Sequence, residues 1–206
     1  MNTIPLYIHL EGMDLAGKTT AHIALTKALG TACRVRHNSI CDANPIYELA
    51  DQMRKANAAC AETLGYLYVA ALAADIERFT PPLMPTVQDS TMMLRSLAFH
   101  KVVGTPYVVD ALLSLLPRHP RFTKSFVLTA SLDARRHRLG ERQREQPDEV
   151  ASDDLQILRH PDRFLKMETT LIDLAQRHFD AIAIDTSDLS PTSVVDAILR
   201  ELPSLK

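Results

Sequence analysis

Eight consecutive residues near the start of the chain, Gly12-Met13-Asp14-Leu15-Ala16-Gly17-Lys18-Thr19, fit G-x-x-x-x-G-K-[ST] at every fixed position. Glycine lets the backbone turn so that successive N–H groups converge on phosphate oxygens. A helix that starts at the lysine aims its positive end at the same place. Lys18 adds a point charge for β- and γ-phosphates, and the hydroxyl of Thr19 suits a magnesium ligand. The expected ligand is ATP with Mg2+, cradled by Gly12, Met13, Leu15, Ala16, Gly17, Lys18, Thr19 and Thr20. An apolar run ends at Leu10 and a helical pattern begins at Lys18, which is the strand–loop–helix setting such a loop requires.

Other residues invite weaker readings. Asp89 ends a short apolar segment, where a carboxylate can serve magnesium directly or through water; a helix-capping aspartate is the alternative. Asp14 lies inside the loop, where a turn-forming role competes with a role toward ligand. Arg135, Arg136, Arg138, Arg142 and Arg144 form the basic cluster of the chain. Phosphoryl transfer needs positive charge that arrives once water is expelled, so the cluster reads as a lid over the nucleotide, with a solvated helix face as the alternative. The eight histidines make no H-x-x-x-H or H-E-x-x-H set, so nothing points to zinc; His37 reads as a surface histidine or an acceptor contact. The string Leu64-Tyr66-Leu67-Tyr68-Val69-Leu72 reads as core, with one tyrosine available to an acceptor pocket.

These groups need a frame. Apolar segments at 4–10, 32–37, 86–89, 125–130 and 181–185 alternate with amphipathic ones, the pattern of a parallel sheet covered by helices. The segment 86–89 is short and half polar, but Pro81, Pro82 and Pro85 break the helix before it. A helix over 18–29 should stop at Gly30, and Asn44-Pro45, Thr105-Pro106 and Ser190-Pro191 each read as a cap followed by the first helical residue. His160-Pro161 should open another helix. The stretch 135–154, arginines followed by acidic residues and Pro147, reads as a mobile surface insertion.

At 206 residues the chain suits one domain, 1–206. Apolar residues at 46% and charged residues at 23% exclude a disordered chain, a collagen-like fibre and a membrane protein. A net charge of -2 gives no field to hold a nucleic acid polymer, so any phosphate must be met locally. The three cysteines, Cys33, Cys41 and Cys60, lack metal or disulfide spacing and read as reduced thiols. No basic residue precedes the first apolar run, and no run approaches the roughly 20 residues that span a bilayer, so the expectation is a cytoplasmic protein without a membrane partner.

The longer string Tyr7-Ile8-His9-Leu10-Glu11-Gly12-Met13-Asp14-Leu15-Ala16-Gly17-Lys18-Thr19-Thr20 resembles the opening of thymidylate kinases, [FY]-I-x-x-E-G-x-D-x-x-G-K-[ST]-T. Ala73-Ala74-Asp75 resembles that family's A-A-D-R segment, and Asp89 with Ser96-Leu97-Ala98-Phe99-His100 resembles its D-R-[YH]…S-x-A-Y-Q segment. The resemblance implies a three-layer α/β P-loop fold with a five-stranded parallel sheet in the order 2-3-1-4-5 and an arginine-bearing lid. It implies Lys18 and Asp14 as catalytic residues, the latter reaching a sugar hydroxyl. It places Asp14 and Asp75 beside a small-molecule acceptor, with Arg36, Arg78 and Arg95 as candidate replacements for acceptor arginines that the family has and this chain lacks, and it raises a homodimer. Because the place after Asp14 is the uncharged Leu15, it also implies a catalytic arginine from the lid, one of Arg138, Arg142 and Arg144.

The chain departs from the family at acceptor positions: Ser90 and Ile76 stand where arginines are expected, and Arg36-His37-Asn38-Ser39-Ile40 replaces R-E-P-G-G. The implied activity is ATP-dependent phosphorylation of a nucleoside monophosphate, pyrimidine or modified pyrimidine, with thymidylate itself disfavoured. Nucleoside kinases of this fold carry a glutamate after the second strand, and His37-Asn38 stands there instead. A kinase of a nucleoside or another small metabolite, and an ATP-binding switch that transfers nothing, are the alternatives.

Overall fold

Period-2 alternation in the first strand sorts its residues onto two unlike faces, and the whole molecule follows from that split. The computed structural model describes residues 5–30, 33–145, 148 and 155–203. Strands β1 (Tyr7–Glu11), β2 (Arg34–His37), β3 (Thr86–Asp89), β4 (Lys124–Thr129) and β5 (Ile182–Asp185) form one parallel sheet in the order β2-β3-β1-β4-β5. On one face Ile8, Leu10, Val87, Phe126 and Leu128 pack against α1 (Lys18–Leu29) and α9 (Pro191–Glu201). On the other, Val127 joins the larger core built from α3 (Ala61–Arg78), α4 (Met92–Val103), α5 (Pro106–Leu115) and α8 (Pro161–Phe179). The result is three layers, helix–sheet–helix.

The second face is also where polar groups are buried in pairs. Tyr7 donates its hydroxyl to Gln88 Oε1 at 2.9 Å, and Gln88 Nε2 donates to the carbonyls of Ser39 and Ser90 at 3.1 and 2.9 Å. That is why a half-polar segment can be a central strand: its glutamine has a partner for each end. Of the expected strands, 86–89 matches its segment, and the others shift by one to three residues; Ile4 and Ala32 lie outside the described residues.

Helix α1 spans the expected residues and ends at Gly30, whose φ of 97° suits glycine. Asn44 caps α2 (Pro45–Lys55) by accepting from the amides of Ile46 and Tyr47, and Ser190 caps α9 by accepting from Ser193. Thr105 does not cap α5: its hydroxyl sits 2.6 Å from His100 Nδ1 instead, and Pro106 alone marks the start. The expected mobile insertion is corrected over its first part. Residues 132–145 form a regular helix, α6 (Leu132–Glu145), anchored because Arg135 and Leu139 are buried. The rest of that stretch, 146–147 and 149–154, lies outside the described residues, and a short α7 (Gln156–Arg159) precedes α8. No described helix is long and apolar enough to cross a membrane.

Candidate active site

The glycine-rich loop joins β1 to α1. Gly12 has φ 147°, and a Cβ there would collide with the Leu128 carbonyl. Gly17, at φ 85°, precedes α1 and offers its first turn no side-chain cap, so the amides that a helix start leaves unpaired stay open to an anion. The loop is held from behind by its carbonyls. Arg95 donates to Gly12 at 2.6 Å, Arg135 to Asp14, Arg138 to Leu15 at 2.9 Å, and the Thr186 hydroxyl to Ala16 at 3.0 Å. A loop whose carbonyls are tied outward is organised as a nest for anions before any ligand arrives. Lys18 is half-buried in it; desolvation and the nearby Arg95 both lower its pKa, while Asp89, Asp14 and Glu11 hold its charge.

Glu11, which sequence reasoning left as a motif letter, is the hub beneath the loop. It is fully buried, accepts from the amides of Gly12 (3.0 Å) and Thr91 (3.1 Å), and faces Arg95 Nε at 3.3 Å and His9 Nε2 at 3.6 Å. Burial pushes its carboxyl upward, but Arg95, His9 and Lys18 outweigh that and bring its pKa to about 2. Asp89 stands beside Leu10 and His37 in register. Its Oδ2 lies 3.2 Å from His37 Nδ1 and 3.3 Å from His22 Nδ1, while the buried Oδ1 has no hydrogen-bond partner among the described residues. Burial again works upward and is outweighed by His22, Lys18 and His37, leaving a pKa of about 2. An ionised carboxylate with one buried, unpaired oxygen suits a hard cation such as Mg2+. No group of three metal-ligating side chains occurs among the described residues, so the phosphates of a nucleotide would have to complete such a site.

Beside the loop lies a cavity of about 270 Å3 between α2, α3 and α4. Its wall near the loop carries Arg95, Asn38 and Met92; further along α2 and α3 come Tyr47, Asp51, Arg54, Leu64 and Tyr68, and Ser96, Phe99, His100 and Met167 complete it. Arg95 is the sole acceptor-side arginine of the sequence reading that the structure places on this cavity. The other three candidates are redirected to the segment after β2. Asp75 is buried and accepts from Ser39 Oγ (2.8 Å), the Ile40 amide (2.9 Å) and Asn44 Nδ2 (2.7 Å). Arg36 is buried against Asp42 at 3.3 Å, and Arg78 donates to the Ala43 carbonyl at 3.0 Å from an exposed position. Asp14 is half-buried at the loop, close enough for its charge to act on Lys18 and Arg95. Of the tyrosines, Tyr68 lines the cavity and Tyr66 faces solvent.

Among solved structures, the chain is similar to thymidylate kinase from Candida albicans, with a TM-score of 0.69 at 13% identity over 95% of this chain and 90% of that one. Thymidylate kinase from Ehrlichia chaffeensis gives 0.64 at 12%, over 96% and 98%. Deoxyadenosine kinase from M. mycoides, solved with dCMP and dCDP, gives 0.62 at 16%, over 98% and 100%. The fold is that of thymidylate and deoxynucleoside kinases. No family model and no curated protein matches the chain.

Helix α6 carries the arginine cluster, and its five arginines divide by helical face. Arg135 and Arg138 point inward to the loop; Arg135 also pairs with the buried carboxylate of Glu168, and Arg138 reaches the hydroxyl and carbonyl of Thr186 at 3.1 and 2.6 Å. Arg142, one turn on, is half-buried. Arg136 pairs with Asp133 at 3.1 Å and Arg144 donates to the Gly140 carbonyl at 3.1 Å, both on the solvent side.

Proposed function

We propose that the chain is an ATP-dependent phosphotransferase acting on a nucleoside or nucleotide, with ATP over the glycine-rich loop and the acceptor in the adjoining cavity. One observation carries the reading: the Arg95 guanidinium both lines the cavity and donates to the Gly12 carbonyl at 2.6 Å, so the two compartments share a wall. Holding donor and acceptor across one side chain is how a fold turns a bimolecular reaction into an intramolecular one. A cavity of about 270 Å3, just under the roughly 300 to 1,000 Å3 of drug-sized sites, suits an acceptor of nucleoside size.

In this reading Gly12 to Thr20 bind the triphosphate, and Lys18 sets its charge against the transferring phosphoryl group in a site that excludes water. Asp14 orients the acceptor. Magnesium, bound with ATP, neutralises charge on the β- and γ-phosphates, and Thr19 and Asp89 are the residues that would hold it. Arg138 and Arg142 supply charge from α6.

ADP release should be followed with ATP and magnesium across a panel of nucleosides and nucleoside monophosphates. Release that depends on one acceptor and is lost in Lys18→Met supports the reading. ATP binding with no acceptor-dependent release would make the protein a nucleotide-dependent switch.

A further inference from the structure

Charge in the cavity says more about the acceptor. Two guanidiniums line it, and each already faces a carboxylate: Arg54 Nη2 lies 3.0 Å from Asp51 Oδ1, and Arg95 Nε lies 3.3 Å from Glu11 Oε1. Arg95 is spent further on the Gly12 carbonyl. His100, the remaining basic group of the wall, is held neutral by burial and sits 2.6 Å from the Thr105 hydroxyl. Each guanidinium of the wall is therefore matched by a carboxylate, and Lys55, which shares Asp51 at 2.7 Å, is exposed to solvent.

A phosphate brought to the loop end of the cavity would compete with Glu11 for Arg95, whose Nε and Nη2 are already engaged. Drawing the guanidinium away would cost the fully buried Glu11 the largest of the charges that hold it ionised and leave it His9 and Lys18, a loss of about 100-fold in affinity for the incoming group. The rest of the wall suits an uncharged ring. Tyr47, Tyr68 and Phe99 offer flat apolar faces, and the Asn38 amide and Tyr47 hydroxyl, 2.9 Å apart, form a neutral hydrogen-bonding pair beside them.

Resting on the kinase reading above, we infer that the acceptor is an uncharged, ring-bearing alcohol of nucleoside size, and that the Glu11–Arg95 pair selects it over its phosphate ester. This reverses the sequence-based expectation of an acceptor that is already phosphorylated. An oxygen lone pair of the acceptor hydroxyl forms the new bond to the γ-phosphorus. The bond from that phosphorus to the β–γ bridging oxygen breaks, its electron pair leaves on ADP, and the hydroxyl proton ends in solvent.

Proton balance separates the two acceptor classes without naming the base. At pH 8 the phosphates are fully ionised, because their last pKa lies near 6, so phosphorylating an alcohol releases about one proton per ADP and phosphorylating a monophosphate releases about none. The experiment offers thymidine, deoxycytidine, deoxyadenosine, deoxyguanosine and their 5′-monophosphates with ATP and magnesium, and records ADP and protons together. A nucleoside should exceed its own monophosphate by about 100-fold in kcat/KM, with about one proton per ADP. Glu11→Gln, which frees Arg95, should lower that preference by about tenfold or more; the ratio within one variant cancels any general damage to the loop. A monophosphate as best acceptor, turned over without proton release, would overturn this inference and leave the kinase reading intact. ADP release that no acceptor stimulates would overturn the kinase reading itself.

Discussion

Arg138 Nη1 donates to the Leu15 carbonyl at 2.9 Å, tying the middle of α6 to the middle of the glycine-rich loop. The same guanidinium bonds Thr186 after β5, and Gly17 lies close enough that a Cβ there would be 3.8 Å from Nη1. Arg138 is therefore a positioning residue for the loop.

Arg138→Ala should lower kcat/KM for ATP by about 100-fold, the scale of an ångström's misplacement at a reacting centre. Arg144→Ala, on the solvent side, should stay within about twofold. Steady-state kinetics on both variants decide it: equal, small effects would mean that α6 merely packs beside the loop.

Lys18→Met should cost about 100-fold to 1,000-fold in kcat while leaving the melting temperature unchanged or higher. Lys18 is half-buried and desolvation lowers its pKa, so an apolar side chain of similar length keeps the packing and removes a costly charge. A variant that melts lower and keeps its rate would assign the lysine to the fold instead of the chemistry.

The glycine-rich loop was legible in the sequence because its chemistry needs fixed residue types at fixed spacing, and Gly12 and Gly17 adopt the positive φ that only glycine takes freely. The arginines of α6 were visible as a cluster but not as a machine, because a charge run read along one dimension hides its faces. Counting by 3.6 would have separated Arg135, Arg138, Leu139 and Arg142, which point inward, from Arg136 and Arg144, which do not. Asp75 and Arg78 misled for the opposite reason: their types suit an anionic acceptor, but the segment 39–44 folds back and claims them. Asp51 and Arg54 carried no signal at all, since a cavity wall drawn from several elements has no spacing to read.

Asp75→Ala should destabilise the protein by about 3 kcal/mol, because it strands the Ile40 amide and one N–H of Asn44 Nδ2 in a buried region, while Ser39 Oγ keeps Cys41 and the other Asn44 N–H keeps the Ala71 carbonyl. At a temperature where the variant stays folded, kcat should fall no more than a few-fold. Urea melts paired with kinetics test this, and a collapse of kcat at undiminished stability would return Asp75 to the acceptor site.

Acid should unfold the protein in two stages, and His119 governs the first. Its Nδ1 lies 2.9 Å from the Pro120 carbonyl, which can only accept, so Nδ1 carries the proton and the buried Nε2 is left bare, without a partner among the described residues. The ring sits among Phe122 and Phe179, at 5.8 and 5.1 Å, and burial lowers its pKa to about 4. Because the unfolded chain takes up this proton near pH 6.5, stability is complete above that pH and falls as pH drops toward 4. Between pH 7 and pH 5 the loss from this residue is about 2 kcal/mol. Glu11 and Asp89, whose folded pKa values of about 2 lie below their unfolded ones, add a second loss from about pH 4.5 down to 2. His119→Phe keeps a ring among the two phenylalanines and removes the titration. Urea melts at pH 7 and pH 5 should show the variant close to the parent at the higher pH and about 2 kcal/mol more stable at the lower. His100 and His178, whose pKa values burial also lowers, leave a residual slope in both proteins. An identical fall between the two pH values in parent and variant would show that the unpaired Nε2 of His119 is reached by water and plays no part in acid unfolding.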